Sequence, residues 1–241
     1  MYPDIAVIAA AGLFVALGGF VQSGIGLGLG VVAAPVVTLL APALMPGSLL
    51  VAGSSLPLLI LAREVLHADW PGISWALAGR VAGTAGGIWV LAVVSVRALG
   101  IVVGGMVLTV VVLSVRSAAV PRNRVTLLAA GVISGVTGTA TSIGGPPVAL
   151  LYQGESGPRV RATLSVFFAV GNSLAVCALA VSGHLPGGDL LAGLLFTGCA
   201  LAGFTVAAGL RRFLDAGRTR AAVLAAAAVS SLILIVHSAL G

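Results

Sequence analysis

Polar positions are sparse along this chain, and they punctuate long apolar runs at intervals close to one bilayer thickness. A membrane-spanning helix needs about 20 apolar residues. On that length the chain divides into eight apolar stretches: Ile5–Leu40, Ser48–Ala62, Gly72–Val94, Leu99–Val115, Val125–Tyr152, Ala162–Ser182, Leu190–Leu210 and Ala221–Leu240. Each predicts a helix, and the first and fifth predict something more. Ile5–Leu40 is too long for one crossing and is interrupted by Gly18-Gly19 and by Gly24, Gly26, Gly28 and Gly30. Val125–Tyr152 brings in hydroxyls at Ser134, Thr137, Thr139, Thr141 and Ser142. Gly144-Gly145 then permits a sharp turn, and Pro146-Pro147 restarts the chain. Proline at the first helical position loses nothing, because its missing N–H would be unpaired there anyway. Both stretches therefore predict a helix, a glycine break and a new helix, beginning near Leu29–Val32 and near Pro146. In lipid a broken helix is tolerated only where protein or a water-filled cavity lines the exposed backbone. A break there marks a candidate site; a kinked packing helix is the plainer alternative.

The chain repeats itself at about half its length. Ala11-Gly12 followed by Gly19 matches Ala130-Gly131 followed by Gly138, and Pro35-Val-Val-Thr-Leu-Leu matches Pro147-Val-Ala-Leu-Leu-Tyr. Ser54-Ser55 falls opposite Gly171-Asn172, His67 opposite His184, and Ala82-Gly83 opposite Ala202-Gly203. Two four-segment units follow, 1–120 and 121–241, as in many secondary transporters. The arginines bear on their orientation. If every stretch crosses once, seven loop arginines lie on one side and four on the other. If the two broken stretches enter and return on the same side, ten lie on one side and only Arg97 on the other. The second arrangement obeys the positive-inside rule better. It makes the repeats inverted, makes their first segments re-entrant hairpins and puts both termini outside.

Composition fixes the class. The chain is 59% hydrophobic and 7% charged, far from the roughly 25% charge of soluble domains, so an all-α, polytopic membrane protein is expected. The net charge of +6 is all arginine over aspartate and glutamate, with no lysine. These arginines sit between apolar runs, which fits cytoplasmic loops rather than nucleic acid. Asp4, Glu64, Asp69, Glu155, Asp189 and Asp215 all lie at or beyond segment ends, against a proton relay through buried carboxylates. An intramembrane hydrolase is disfavoured too: Ser142 sits in Thr-Ser-Ile-Gly rather than Gly-x-Ser-x-Gly, no histidine is at midplane depth, and no HExxH pattern occurs. Gly83-x3-Gly87, Gly100-x3-Gly104 and Gly131-x3-Gly135 suit close helix packing. Cys177 and Cys199 fall within apolar runs and read as packing residues.

Under the inverted reading the two glycine tips meet near the midplane, and two helix N-termini face one central space. Such termini attract anions without a charged side chain. The backbone of Gly24, Gly26, Gly28, Gly144, Gly145 and Pro146 would form the tips. Gln22, Ser23, Thr139, Thr141 and Ser142 would add hydrogen bonds, and Ser54, Ser55 and Asn172 would line the same space. Each of these polar groups also fits an ordinary interhelical bond. Arg80 lies well inside Gly72–Val94, where an anion is its obvious partner and snorkelling the alternative. The expected partners are a small anion and the lipid bilayer of the cell membrane. A coupling ion, proton or sodium, and a homodimer stay open; no cofactor, metal or nucleic acid is expected. A passive anion channel or a carrier of small carboxylates is the competing function.

Gly18–Pro35, GGFVQSGIGLGLGVVAAP, and Gly135–Leu151, GVTGTATSIGGPPVALL, together with Arg161-Ala-Thr and Asn172, resemble the TauE/SafE family of membrane transporters. The resemblance covers nearly the whole chain, and its GGPP form is the more specific part. It implies a transporter of small sulfur anions such as sulfite or organosulfonates, and it does not select among them.

Overall fold

A computed structural model describes residues 4–25, 29–115, 120–210 and 216–240. Among them the chain forms ten α-helices and two short 3-10 turns, without a strand. The helices are α1 (Ile5–Ile25), α2 (Leu29–Leu40), α3 (Gly47–Glu64), α4 (Trp70–Val93), α5 (Val96–Val115), α6 (Arg124–Thr141), α7 (Pro146–Leu151), α8 (Gly157–Val181), α9 (Gly187–Leu210) and α10 (Ala216–Leu240). Long apolar windows able to cross a membrane occupy Ile5–Ser23, Trp70–Val93, Gly157–Val181 and Gly187–Ala207. Shorter apolar helices include Leu29–Leu40 and Gly47–Ala62. Trp89, Ile133, Leu194 and Val229 stand exposed on the outside, a surface suited to lipid rather than water.

The long first and fifth stretches are each two helices. The fifth breaks at Ser142–Gly145, and α7 starts on Pro146. Ser142 ends α6 in the left-handed region at φ 62°. The first stretch departs from expectation in one respect. Gly18 and Gly19 do not interrupt it, since α1 runs on to Ile25. Glycine weakens a helix, but it also lets backbones touch. Here a Cβ on Gly19 would collide with the Ala200 carbonyl, and one on Gly18 would lie 2.9 Å from Leu29 Cα.

Small residues build two seams of this kind. Gly79, Gly83 and Gly87 of α4 pack on the α6 backbone at Leu128, Val132 and Val136, while Gly131 and Gly135 of α6 pack on the carbonyls of Ala76 and Arg80. On the other side Gly19 of α1 meets Ala200 of α9, and Gly203 of α9 meets the Ala16 carbonyl. These are the most extensively packed helix pairs, ahead of α3 with α8 and α5 with α10. Gly100 and Gly104 of α5 abut Ser238, Ser231 and Ile235 of α10.

Charged side chains gather where the α3–α4, α5–α6 and α7–α8 connections come together. Glu64 takes Arg161 in a two-pronged pair, Nη2 to Oε1 at 2.6 Å and Nε to Oε2 at 3.0 Å. Arg122 reaches Glu155 at 2.7 Å and Asp69 at 3.6 Å, and Arg159 reaches Asp69 at 3.5 Å. Tyr152 donates to Asp69 Oδ2 at 2.9 Å beneath the Arg122 guanidinium. Asn123 starts α6 there with a capping box, its Oδ1 accepting from the Thr126 amide at 3.0 Å. Both ends of the α6–α7 stretch, at Arg122 and at Tyr152, thus reach this belt.

Candidate functional site

The two breaks meet. A Cβ on Gly30, in the first turn of α2, would collide with the Ser142 carbonyl. Between them lies a cavity of about 40 Å³. Gln22, Leu29, Gly30 and Val31 line it from the first break, and Ser142, Ile143, Gly144, Gly145 and Pro146 from the second. Helix α3 contributes Leu49 and Gly53, and α8 contributes Phe168 and Asn172.

Local chemistry explains how the walls hold their shape. Gln22 Oε1 accepts the Leu29 amide at 3.2 Å, so this side chain caps α2. In the second break Ser142 Oγ donates to the Pro46 carbonyl at 2.9 Å. Ser134 Oγ donates to the Gly144 carbonyl, fixing the returning segment against α6. The first turn of a helix has amides without intrahelical acceptors, and Gly30 and Val31 lie in that turn of α2. At α7 the prolines at positions 146 and 147 have no amide hydrogen to give. With the Ser142 amide bonded to the Gly138 carbonyl and the Ile143 amide to Thr141 Oγ1, that leaves the Gly144 and Gly145 amides as backbone donors among the lining residues on this side.

Arg80 is fully buried in α4. Its Nη1 donates to Ser134 Oγ at 2.9 Å and to the Ser134 carbonyl at 3.3 Å, and its Nη2 donates to Asn172 Oδ1 at 2.9 Å. The guanidinium carbon lies 5.0 Å from the Phe167 ring centre, and Nε has no partner among the described residues. No carboxylate pairs with it among the described residues. Arg80 does not line the cavity; Gly144 and Asn172 stand between. Depth follows from helix counting. At 1.5 Å per residue, Arg80 stands about 15 Å from Trp70, Ser134 about 15 Å from Arg124, and Asn172 about 16 Å from Arg161. Those helix starts lie at the charged belt, and the hydrocarbon core is about 30 Å thick. Arg80, Ser134 and Asn172 therefore stand about half a bilayer thickness from the belt along their helices.

Of the residues singled out from sequence, Gln22, Ser142, Gly144, Gly145, Pro146 and Asn172 meet at this cavity. Ser54 and Ser55 instead donate to the Leu50 and Ala52 carbonyls of their own helix, at 2.8 and 2.7 Å. Thr141 Oγ1 donates to the Thr137 carbonyl at 2.7 Å. Thr139 is buried against Gly87 in the α4–α6 seam, its hydroxyl without a partner among the described residues. Ser23 is buried but is not among the lining residues, and Gly24 falls in the last turn of α1. Gly26 and Gly28 lie outside the described residues. Ser134, Gly53 and Phe168 were not singled out for this site. The last two are apolar and carry no polar signal; Ser134 had only its hydroxyl within a broken apolar run to mark it.

A family model described as sulfite exporter TauE/SafE matches residues 10–234. No curated protein and no solved structure gives a significant match. Two helix breaks around a shared cavity, an apolar exterior and this match over nearly the whole length agree with one another. The chain belongs to the sulfite exporter TauE/SafE family, a family of membrane transporters.

Proposed function

We propose that the chain is a secondary transporter of the cell membrane that moves a small sulfur oxyanion, sulfite or an organosulfonate, through the cavity between the helix breaks. The observation that carries this reading is a cavity beside a fully buried arginine that has no carboxylate partner among the described residues and stands about half a bilayer thickness from the charged belt. An uncompensated charge at that depth costs several kcal/mol, and an anion in the adjoining cavity offsets part of that cost. The α2 first-turn amides and the Gly144–Gly145 backbone add donors to two of its walls. One water needs roughly 10–15 Å³ of such volume, so about 40 Å³ accepts a four-atom oxyanion group.

The helix packing supports two repeats related by a pseudo-two-fold axis, and inversion follows if their first segments are re-entrant. Exchanging the halves turns the α4–α6 contact into α9–α1 and the α3–α9 contact into α8–α4, and each of these pairs is packed. The charged belt supports re-entrant hairpins, because it joins Arg159 and Arg161 to Glu64, Asp69 and Arg122 on one face. That face is the cytoplasmic one by the positive-inside rule, with the termini outside.

Proteoliposome flux of labelled sulfite, an organosulfonate and acetate, with and without proton and sodium gradients, tests the reading. Sulfite moving against its gradient when an ion gradient is imposed is the expected result. Flux that only runs down the sulfite gradient would make the protein a channel, and acetate flux exceeding sulfite flux would make it a carboxylate carrier.

A further inference from the structure

Arg80 touches the cavity only through its neighbours, and one of them lines it. Guanidinium has donors and no acceptor, so the Asn172 atom that meets Nη2 has to be the amide oxygen. That bond, 2.9 Å long and made by a buried cation, decides which way the whole amide faces. The Nδ2 group is then turned away from Arg80. It lies 3.1 Å from where a Cβ on Gly53 would stand, and Gly53 and Asn172 both line the cavity. The other half of the guanidinium holds Ser134, whose hydroxyl is committed to the Gly144 carbonyl at the second break.

We propose that Arg80 is a positioning residue for anion binding: it locks the Asn172 amide so that its two N–H donors face the cavity, and pins the Gly144 turn opposite. An amide free to flip would present its oxygen to the substrate half the time, and an oxygen repels an anion. A cation behind the amide also polarises it, which strengthens the donors. The repeat supplies no second copy of the device. Position 200, which occupies in the α1–α9 seam the place that Arg80 occupies beside Gly138, is an alanine meeting Gly19. The cavity is thus lined by two side-chain amides held by their oxygens, Gln22 by the Leu29 amide and Asn172 by Arg80, and only the second is set by a buried cation.

This inference rests on the anion site proposed above, and the test separates the two. The full chain is reconstituted and the KM and Vmax for labelled sulfite are measured. Asn172→Asp keeps the size of the side chain and keeps an acceptor for Arg80, so a purely structural role for the pair leaves transport unchanged. The inference expects KM to rise roughly 10- to 100-fold, the worth of one hydrogen bond to a charged group. Vmax should change far less, and the unfolding temperature should hold or rise. A second arm compares Arg80→Met in the native chain and in an Asn172→Ala background. Acting in part through Asn172, the loss of Arg80 should raise KM by a smaller factor once that amide is gone than in the native chain, the remainder coming from its charge and the Gly144 turn. An Asn172→Asp variant with native KM, or losses from the two sites that multiply, overturns the inference while native flux keeps the site. Native vesicles that pass no sulfite, sulfonate or acetate above protein-free vesicles sink both together. Should Arg80→Met fail to fold, the Asn172→Asp comparison decides alone.

Discussion

A methyl group added at Gly30 would stand inside the van der Waals shell of the Ser142 carbonyl oxygen, with the carbonyl carbon 3.3 Å away and Ile143 Cα 3.7 Å away. Carbon–oxygen contacts ordinarily begin near 3.3 Å, so the two breaks have to part by about an ångström to admit it. Relieving such an overlap costs about 1–3 kcal/mol, and alanine in a helix recovers about 0.5–1 kcal/mol relative to glycine. The net loss of stability for Gly30→Ala is therefore about 0–2.5 kcal/mol, little enough for the protein to stay folded. Function is more sensitive, because both sides of the gap line the cavity and misplacing a site by 1 Å costs on the order of 100-fold. Sulfite flux in proteoliposomes is expected to fall by about that factor, with a monodisperse protein and a modest drop in unfolding temperature. Gly105→Ala is the control, since nothing lies within 4 Å of its Cβ. Native flux in Gly30→Ala, with an unmoved unfolding temperature, would refute the claim that the two breaks touch.

Gly83→Val should abolish the folded protein on size-exclusion chromatography, because even a Cβ there collides with the Val132 carbonyl and lies 2.9 Å from Gly135 Cα; Gly198→Ala, with open space around it, should instead stabilise by up to about 1 kcal/mol. Thr139→Val removes a buried hydroxyl that lacks a partner among the described residues, a group that costs about 1–3 kcal/mol to leave unsatisfied. It should raise the unfolding temperature and leave sulfite flux intact, whereas a stable variant with no flux would put Thr139 at the anion. Single cysteines replacing Arg122 and Arg159 should label from the same compartment in oriented vesicles, and labelling from opposite sides would reject the re-entrant hairpin.

Features written in backbone chemistry were the legible ones. Gly144-Gly145 followed by two prolines breaks a helix whatever surrounds it, and α7 begins at Pro146 as expected. The Gly-x3-Gly spacings likewise became the α4–α6 and α5–α10 contacts. Gly18-Gly19 misled because its neighbour was out of view: α9 lies against it and rewards close approach, so the helix continues. Hydroxyls were ambiguous for a similar reason. Ser54, Ser55 and Thr141 each have a carbonyl of their own helix within reach, and no local pattern tells that bond from one to a ligand. The surroundings of Arg80 were beyond sequence because its partners Ser134 and Asn172 are 54 and 92 residues away. The loss of amide hydrogens at Pro146 and Pro147 was readable all along, and it makes the second break a weaker backbone donor than the first.

The glycine seams constrain how this protein can move. Each joins a helix of the first half of the chain to a helix of the second, α4 to α6 and α1 to α9, with backbone on backbone. The halves are interlaced rather than side by side, so a rocking motion between them would tear both zippers open. A cycle that spares the zippers leaves the stroke to the short arms α2 and α7 and to α3 and α8, sliding within a frame that stays whole.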